Sequence, residues 1–249
     1  MMFDSVLEKR RKKMIKKSAD EKRHIKEFCS NNIDEFDENI FLGFDNCRKL
    51  ILTNSKNVTN NLAPNAFKHL PKLEEFDFSN NNIVEINENS FNYFQNLQKI
   101  GYHSNKIQRI DDLSFKNMRN LTEINLENNQ IPKIKQNTFK DLNNLKFLNL
   151  SENNIEEIHE KAFCTLENII QILLKYNKLK QIHPDLFRGL MKLRDIQLHG
   201  NLIFGERDKN KNTKTIGLYL ESNVNRVTLY KMMFWAENNI NRIHNTVYN

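Results

Sequence analysis

The chain has 249 residues, with 38 Lys or Arg against 31 Asp or Glu, 39% apolar residues, and only 6 Gly and 4 Pro. This composition excludes a collagen-like chain and a Gly- or Pro-rich linker, and the aromatic content argues against a wholly disordered chain. No apolar run approaches the ~18 residues that a membrane-spanning helix requires, so the sequence predicts no membrane span.

The first 27 residues carry most of the net charge. They hold ten Lys or Arg and five acids, a balance of +5, which leaves only +2 of the total +7 for the rest of the chain. We predict a solvated, basic, helical segment over residues 1–27. The run Lys9–Lys13 also fits a nuclear-import or nucleic-acid patch. The segment lacks the apolar stretch of a secretory signal, which favours a cytoplasmic or nuclear location if the chain begins at Met1.

A repeat of 24 residues covers most of the remaining chain. Phe recurs at this spacing at positions 67, 91, 115, 139, 163 and 187, and Asn recurs at 57, 81, 105, 129, 153, 177 and 201. The pattern reads L-x-x-L-x-L-x-x-N-x-I-x-x-I-x-x-x-x-F-x-x-L, and five copies run without a gap from residue 73 to residue 192. Amphipathic helices would instead need apolar spacing near 3.6 residues.

This pattern resembles the 24-residue "typical" class of leucine-rich repeat proteins, which includes extracellular arrays of Toll-like receptors, Slit-type guidance proteins and insect immune proteins. The resemblance implies a curved solenoid, α/β in a loose sense, with a parallel β-sheet on the concave face and an irregular or short helical convex side. We expect the solenoid over 28–249, with a regular part at 73–192, a charged loop near 205–215 and irregular last repeats at 216–249.

The physical chemistry of the pattern supports this fold. In L-x-x-L-x-L, alternating leucines point inward from a short strand. The Asn that follows can donate to and accept from backbone groups that the turn leaves unpaired. We expect the repeated Phe to stack as a spine. Because one repeat cannot bury its own apolar face, stability must come from stacked neighbours.

The C-terminal end shows no polar cap of the kind that normally closes a solenoid. We therefore expect a frayed last coil, a partner or oligomerisation at this end, or a fragment of a longer array. The paired Cys clusters typical of extracellular members are also missing from the sequence.

The three cysteines do not form a disulfide framework. Cys47 falls at a core position, where it is either a buried thiol or bridged to Cys29, and Cys164 is expected to be free. N-glycosylation sequons occur at Asn57, Asn120 and Asn149. A chain this rich in Asn produces about that many by chance, so they carry no weight.

No motif in the sequence points to catalysis or to a cofactor. The seven His are scattered, without zinc-ligand spacing, and no Gly-rich phosphate loop occurs. Paired acids such as Glu74-Glu75 and Glu156-Glu157 sit between core positions and are expected to be solvated. We predict a non-catalytic protein that needs no metal or cofactor.

The inner sheet of a solenoid is its usual binding surface. The third position of each repeat projects from that sheet and reads Lys49, Glu75, Lys99, Glu123, Phe147, Gln171 and Asp195. The first four alternate in sign, which predicts a lateral ladder of ion pairs, each worth well under ~1 kcal/mol.

From Phe147 onward the concave face changes character. Apolar residues are expected at its centre: Phe147, Ile170, Leu173 and Tyr176. Polar and basic residues surround them: Lys146, Asn149, Lys175, Arg194, Gln197 and His199. Such a cluster is typical of a protein-binding hot spot, although concave faces also carry stray apolar residues.

The function that these observations favour is non-catalytic protein recognition through the concave face. The resemblance implies innate immune recognition or cell-surface signalling, and an extracellular location if the chain is part of a secreted or receptor protein. The alternative is an intracellular or nuclear adaptor addressed by its basic N-terminal segment. Nucleic acid is disfavoured as a partner, because no aromatic residues interleave with the basic run.

Overall fold

The computed structural model of the protein describes residues 25–27, 38–55, 64–88 and 90–202. Across these ranges the backbone returns once per repeat to one large sheet, where each strand lies beside the strand of the preceding repeat, and other very short strands form two separate two-stranded sheets. The predicted loop near 205–215 and the last repeats at 216–249 lie outside the described residues. The leucine-rich solenoid predicted from the repeat is confirmed for the part of the chain that is described.

The concave face is a parallel sheet whose strands follow chain order. Within the described ranges it has eight strands: Ile25–Glu27, Lys49–Ile51, Glu75–Asp77, Lys99–Gly101, Glu123–Asn125, Phe147–Asn149, Gln171–Leu173 and Asp195–Gln197. From the second strand onward, the middle residue of each is buried and its two neighbours face outward. This is the period-2 alternation that the leucine pattern predicts.

The first strand corrects the predicted start of the solenoid. Ile25–Glu27 pairs in parallel with Lys49–Ile51, so these three residues are not helical and the sheet begins before residue 28. The physical reason is that an edge strand is held by backbone hydrogen bonds, which polar residues make as readily as apolar ones. Residues 1–24, the rest of the predicted basic segment, lie outside the described residues.

The convex side is built from short helical turns and very short strands. Two 3-10 helices occur in the described ranges, at Pro64–His69 and Pro184–Phe187. Paired two-residue strands, which the sequence did not predict, are Glu85–Ile86 with Arg109–Ile110 and Lys133–Ile134 with Glu157–Ile158. The irregular, partly helical convex side is therefore confirmed.

The predicted phenylalanine spine runs through the core. Phe91, Phe115 and Phe139 stack at ring-centroid distances of 5.3 and 5.8 Å, and the stack continues through Phe163 to Phe187 at 6.2 and 6.1 Å. All five rings are buried. Each ring therefore ties its own repeat to both neighbours, which is how a solenoid gains stability.

A buried asparagine ladder closes the turn after each strand. In Asn129, Nδ2 donates to the carbonyl oxygens of Tyr102 (3.0 Å) and Leu126 (3.1 Å), while Oδ1 accepts from the backbone N–H of Ile107 (3.0 Å). The same three bonds recur at Asn81, Asn105, Asn153, Asn177 and Asn201. The predicted role of this Asn is confirmed, and Asn57 lies outside the described residues.

A second, exposed asparagine ladder was not predicted. Asn96, Asn120, Asn144 and Asn168 each donate from Nδ2 to a carbonyl oxygen of the preceding repeat, at 2.7 to 3.0 Å. They lie just before the strands, on the turn that leads from the convex side to the concave face. Asn therefore satisfies backbone carbonyls at both ends of the four strands from Lys99–Gly101 to Gln171–Leu173.

Candidate functional site

The first four positions of the outward row on the concave face neutralise one another. The register places Lys49, Glu75, Lys99 and Glu123 side by side on adjacent strands. Lys49 Nζ lies 2.7 Å from Glu75 Oε2, and Lys99 Nζ lies 3.9 Å from Glu75 Oε1 and 3.6 Å from Glu123 Oε2. The predicted ion-pair ladder is confirmed, and it leaves this half of the face with its charges compensated.

In the outward row of the concave face, the charged residues give way to an aromatic residue at Phe147. This ring follows Glu123 in the register and remains 40% exposed. Beyond it the charge ladder is replaced by an amide–carboxylate bond, in which Gln171 Nε2 donates to Asp195 Oδ2 at 2.6 Å. The C-terminal half of the face therefore presents an exposed aromatic ring where the first half presents paired charges.

A shallow depression of about 310 Å³ opens beside Phe147. It is lined by Glu123, Ile124, Asn125, Phe147, Leu148, Asn149, Gln171 and Leu173. Of these, Phe147, Asn149 and Leu173 were predicted as site residues. The depression is large enough for one apolar side chain, although it lies at the small end of the range for ligand pockets.

Asn149 forms a fixed polar wall of this depression. Its Nδ2 donates to Glu127 Oε2 at 3.1 Å, and its Oδ1 accepts from the backbone N–H of Ser151 at 3.0 Å. Both ends of the amide are thus engaged, and Ser151 is buried. This geometry makes the Asn149 sequon poorly suited to carry a glycan in the folded chain.

A row of basic and apolar residues precedes the strands. The backbone N–H of Ile170 donates to Lys146 O, and that of Arg194 donates to Ile170 O, both at 2.8 Å, so the three lie side by side. The side chains of Lys146 and Arg194 are exposed and that of Ile170 is half-buried. Among the described residues, neither cation has a carboxylate within 4.0 Å.

The turn at the other end of the strands requires a left-handed backbone. The residues with positive φ at this repeat position are Asn54, Asn80, Ser104, Asn128, Glu152, Tyr176 and Gly200. Asn and Gly adopt this conformation readily, but a bulky aromatic residue does not. Tyr176, with φ of 55°, is therefore the unusual member of the row.

Tyr176 is held in place by its neighbour in the next repeat. A Cβ on Gly200 would clash with Tyr176 Cδ1, so the ring rests directly on the glycine backbone. The rings of Tyr176 and His199 meet edge-to-face at a centroid distance of 5.1 Å. Because 55% of Tyr176 remains exposed, the ring is both held and accessible.

The ten predicted site residues all lie on the C-terminal half of the concave face, but in separate groups. Phe147, Asn149 and Leu173 meet at the depression. Tyr176 and His199 form the edge-to-face pair, and Lys146, Ile170 and Arg194 form the row before the strands. Lys175 and Gln197 are half-buried, and Gln197 Nε2 donates to Asp195 Oδ2 at 3.2 Å.

Sequence reasoning missed several residues that shape this face. Glu123, Asn125 and Gln171 line the depression, and Gly200 supports Tyr176. Glu123 and Gln171 were visible in the outward row but were not counted as part of the site. Tyr176 and Gly200 each directly precede the repeated Asn of their repeat. A comparison of this position between repeats would have shown that the two residues are neighbours.

The described part of the chain holds no metal-ligand cluster. In residues 25–27, 38–55, 64–88 and 90–202, no three His, Cys, Asp or Glu side chains cluster as metal ligands would. In the same ranges no helix has the length and apolarity to cross a bilayer. Cys47 is buried, as its core position predicted, and Cys164 is exposed. Cys29, the alternative bridging partner of Cys47, lies outside these ranges.

The repeat and its geometry agree with a known family. The family model described as "Leucine rich repeat" matches residues 45–101, 95–155 and 144–203, which together span more than half of the chain. The chain belongs to the leucine-rich repeat family. Proteins of this family are in general recognition scaffolds rather than enzymes. No curated protein matches the chain.

Several solved leucine-rich repeat structures are similar to this solenoid. The Leptospira interrogans protein LIC12759 is 27% identical, with a TM-score of 0.58, over 65% of this chain and 39% of its own. TLR13, solved in a complex with ssRNA13, is 28% identical with a TM-score of 0.60, over 68% of this chain and 23% of the TLR13 chain. Drosophila Toll, solved in a complex with Spatzle, has a TM-score of 0.63 at 22% identity, over 71% of this chain and 23% of the Toll chain. This likeness shows a shared fold.

This leucine-rich repeat chain matches only a part of each of those longer proteins. It spans 39% of the Leptospira chain and 23% of the Toll and TLR13 chains. The likeness therefore covers the solenoid alone.

Proposed function

We propose that this solenoid is a non-catalytic protein-binding module that takes up its partner on the C-terminal half of the concave face. The observation that carries the proposal is the change along the outward row, from ion pairs at Lys49–Glu123 to the exposed ring of Phe147. Apolar and aromatic groups that are exposed beside a polar rim are the usual centre of a protein interface.

The position of Tyr176 supports the same surface. A tyrosine in a left-handed conformation lowers stability relative to Asn or Gly, and such strain is found most often at functional sites. Here the ring is held against Gly200 and His199 while more than half of it faces solvent. A rigid, amphipathic aromatic side chain of this kind loses little conformational entropy on binding.

Site-specific photo-crosslinking tests the proposal. A photoreactive phenylalanine analogue replaces Phe147 or Tyr176 in the full chain, and replaces Tyr93, an exposed aromatic residue of the convex side, as the matched control. We expect extract of the source organism to yield a protein crosslinked at positions 147 and 176 but not at 93. Equal labelling at all three positions, or labelling at 93 alone, would contradict the concave-face proposal.

Alanine substitution then measures how much the patch contributes. Phe147→Ala and Tyr176→Ala should each weaken binding of the crosslinked protein by about tenfold or more, as interface anchors do. Tyr93→Ala should leave the affinity unchanged. All three variants should keep the wild-type circular dichroism spectrum, because these side chains lie outside the core.

An extracellular role in innate immunity or cell-surface signalling is the finer form of this proposal. It is supported by the likeness to TLR13, a Toll-like receptor, and by the repeat class. Expression of the tagged full-length chain in cells of the source organism tests it. Recovery from the medium or the outer cell surface is expected, whereas accumulation in the nucleus would favour an adaptor addressed by residues 1–27.

A further inference from the structure

We propose that the segment bound at this concave face is acidic: an extended stretch of protein with one apolar side chain for the depression beside Phe147 and carboxylates on both sides of it. This inference rests on the proposed function and adds the chemistry of the partner. It follows from the charged groups of this half of the face: most of its carboxylates already have hydrogen-bond or ion-pair partners within the chain, whereas its cations have no carboxylate partner among the described residues.

The cations on this half of the face have no acidic partner. Lys146 and Arg194 are exposed at the beginning of the strands, and Lys175 is half-buried beyond their end. In the described part of the chain, none of the three lies within 4.0 Å of a carboxylate. By contrast, the cations of the first half of the face, Lys49 and Lys99, are both in ion pairs.

The acidic residues around the depression, unlike the cations, already have donors. Glu123 pairs with Lys99. Glu127 accepts from the Asn149 amide at 3.1 Å. Asp195 accepts from two glutamine amides, at 2.6 and 3.2 Å. Glu152, which is exposed in the left-handed row, is the acid nearby whose carboxylate has no donor among the described residues. A ligand therefore meets mainly unpaired donors, which favours acceptor groups on the partner.

The spacing of the cations defines the shape of such a segment. Lys146, Ile170 and Arg194 precede three successive strands of the sheet. Because neighbouring strands lie ~4.8 Å apart, the backbones of Lys146 and Arg194 are separated by about 10 Å. Lys175 lies five residue positions further along the strand direction, roughly 17 Å at ~3.3 Å per residue. An extended peptide of about six residues covers this distance, with its ends at the cations and its middle over the depression.

A nucleic acid fits this face less well. Its phosphates repeat at every nucleotide, so a strand laid across the face would also meet the carboxylates of Glu123, Glu127 and Asp195. A protein segment can place a carboxylate at each end and a neutral apolar residue between them. Charge complementarity therefore favours an acidic protein segment over RNA or DNA.

The test uses defined probes with the full chain. Fluorophore-labelled peptides carry a central phenylalanine flanked on both sides by aspartates, by lysines or by serines, and an oligouridylate serves as the nucleic-acid probe. Fluorescence anisotropy measures their affinities at about 50 mM and about 500 mM salt. We expect the aspartate-flanked peptide to bind at least about tenfold more tightly than the others, and to weaken as the salt concentration rises.

Charge reversal locates the binding. The triple variant Lys146→Glu, Lys175→Glu and Arg194→Glu should lose at least about tenfold in affinity for the aspartate-flanked peptide and gain affinity for the lysine-flanked one. The matched control reverses three exposed lysines outside this patch, Lys116→Glu, Lys133→Glu and Lys140→Glu, with the same change in net charge. It should leave the order of the peptides as in the wild type.

The remaining outcomes overturn the inference in distinguishable ways. If all three peptides bind alike and all lose affinity in Phe147→Ala, the concave face binds protein but the acidic class is wrong. Tighter binding of the oligouridylate, lost in the triple reversal variant, would assign the face to nucleic acid. Equal loss in the control triple variant, or no binding of the aspartate-flanked peptide at up to about 1 mM, also overturns it. The crosslinking experiment reports separately on the proposed function.

Discussion

Tyr102 occupies a position that leucine fills in the four repeats that follow it. Its ring is buried and meets the rings of Phe76, Phe78 and Phe91 edge-on, at centroid distances of 5.8 to 6.2 Å. Burial raises the pKa of the Tyr102 phenol well above its ordinary value of about 10, because the charged phenolate would lose its hydration. Above pH ~10, the folded chain therefore keeps this phenol protonated, whereas an unfolded chain would lose the proton.

This pKa shift predicts how the chain responds to alkali. Below pH ~10 both states hold the proton, so the contribution of Tyr102 to stability is fully present. Above pH ~10 the unfolded state binds fewer protons, and the free energy of unfolding should fall by up to about 1.4 kcal/mol per pH unit. Tyr102→Phe should reduce this slope, and urea titrations between pH 8 and 12 measure it. An unchanged slope would show that other groups dominate the alkaline loss.

The two asparagine ladders should differ in what they contribute to stability. Asn129→Ala leaves the buried N–H of Ile107 without its acceptor and removes one of two Asn donors from each of Tyr102 O and Leu126 O, so it should lower the free energy of unfolding by about 2–4 kcal/mol. Asn144→Ala removes one exposed bond to Arg119 O, and should lower it by less than about 1 kcal/mol. Urea denaturation of both variants measures the difference, and equal losses would contradict the buried-ladder account.

At the scale of the repeat, the fold was largely predictable from the sequence. Periods of 2 and 24 place the strands, the buried Asn and the Phe spine, because the strands need alternating apolar residues and the other two roles each recur with one residue type. The paired strands at Glu85–Ile86 and Arg109–Ile110 were not predictable, since two residues carry too little pattern.

The candidate site was less predictable than the fold. The outward row identified Phe147, because an aromatic residue interrupts an alternation of charges. The pairing of Tyr176 with Gly200 escaped notice, because it depends on the backbone conformation of one residue and the missing Cβ of another. Hydrogen bonds such as Asn149 to Glu127 depend on side-chain rotamers, which periodicity does not encode.

The contact between neighbouring repeats at Tyr176 and Gly200 can be measured by a double-mutant cycle. Gly200→Ala should lower the free energy of unfolding by about 1–3 kcal/mol, because the new Cβ meets the tyrosine ring and the backbone is left-handed, with φ of 74°. In a Tyr176→Ala background the ring is gone, so the same change should lower it by only about 1 kcal/mol. Additive effects in urea denaturation would show that the ring does not rest on Gly200.

At the scale of the whole molecule, the solenoid is held together by contacts between neighbouring repeats. One of these contact systems is the stack of Phe rings from Phe91 to Phe187. Phe139 lies at its centre, is fully buried, and stacks on Phe115 at 5.8 Å and on Phe163 at 6.2 Å. Its removal should therefore weaken two repeat interfaces at once.

Phe139→Ala should lower the free energy of unfolding by about 3–5 kcal/mol, as other large-to-small changes in cores do. Phe147→Ala is the matched control, because the same residue type is exposed there and should change stability by less than about 1 kcal/mol. In a quasi-one-dimensional protein the damage should also stay local. Native-state hydrogen exchange should show faster exchange at Ile124 and Leu148, whose strands flank the lost ring, than at Leu50. Uniformly faster exchange along the sheet would instead mean that the solenoid unfolds as one cooperative unit, with no independent repeat interfaces.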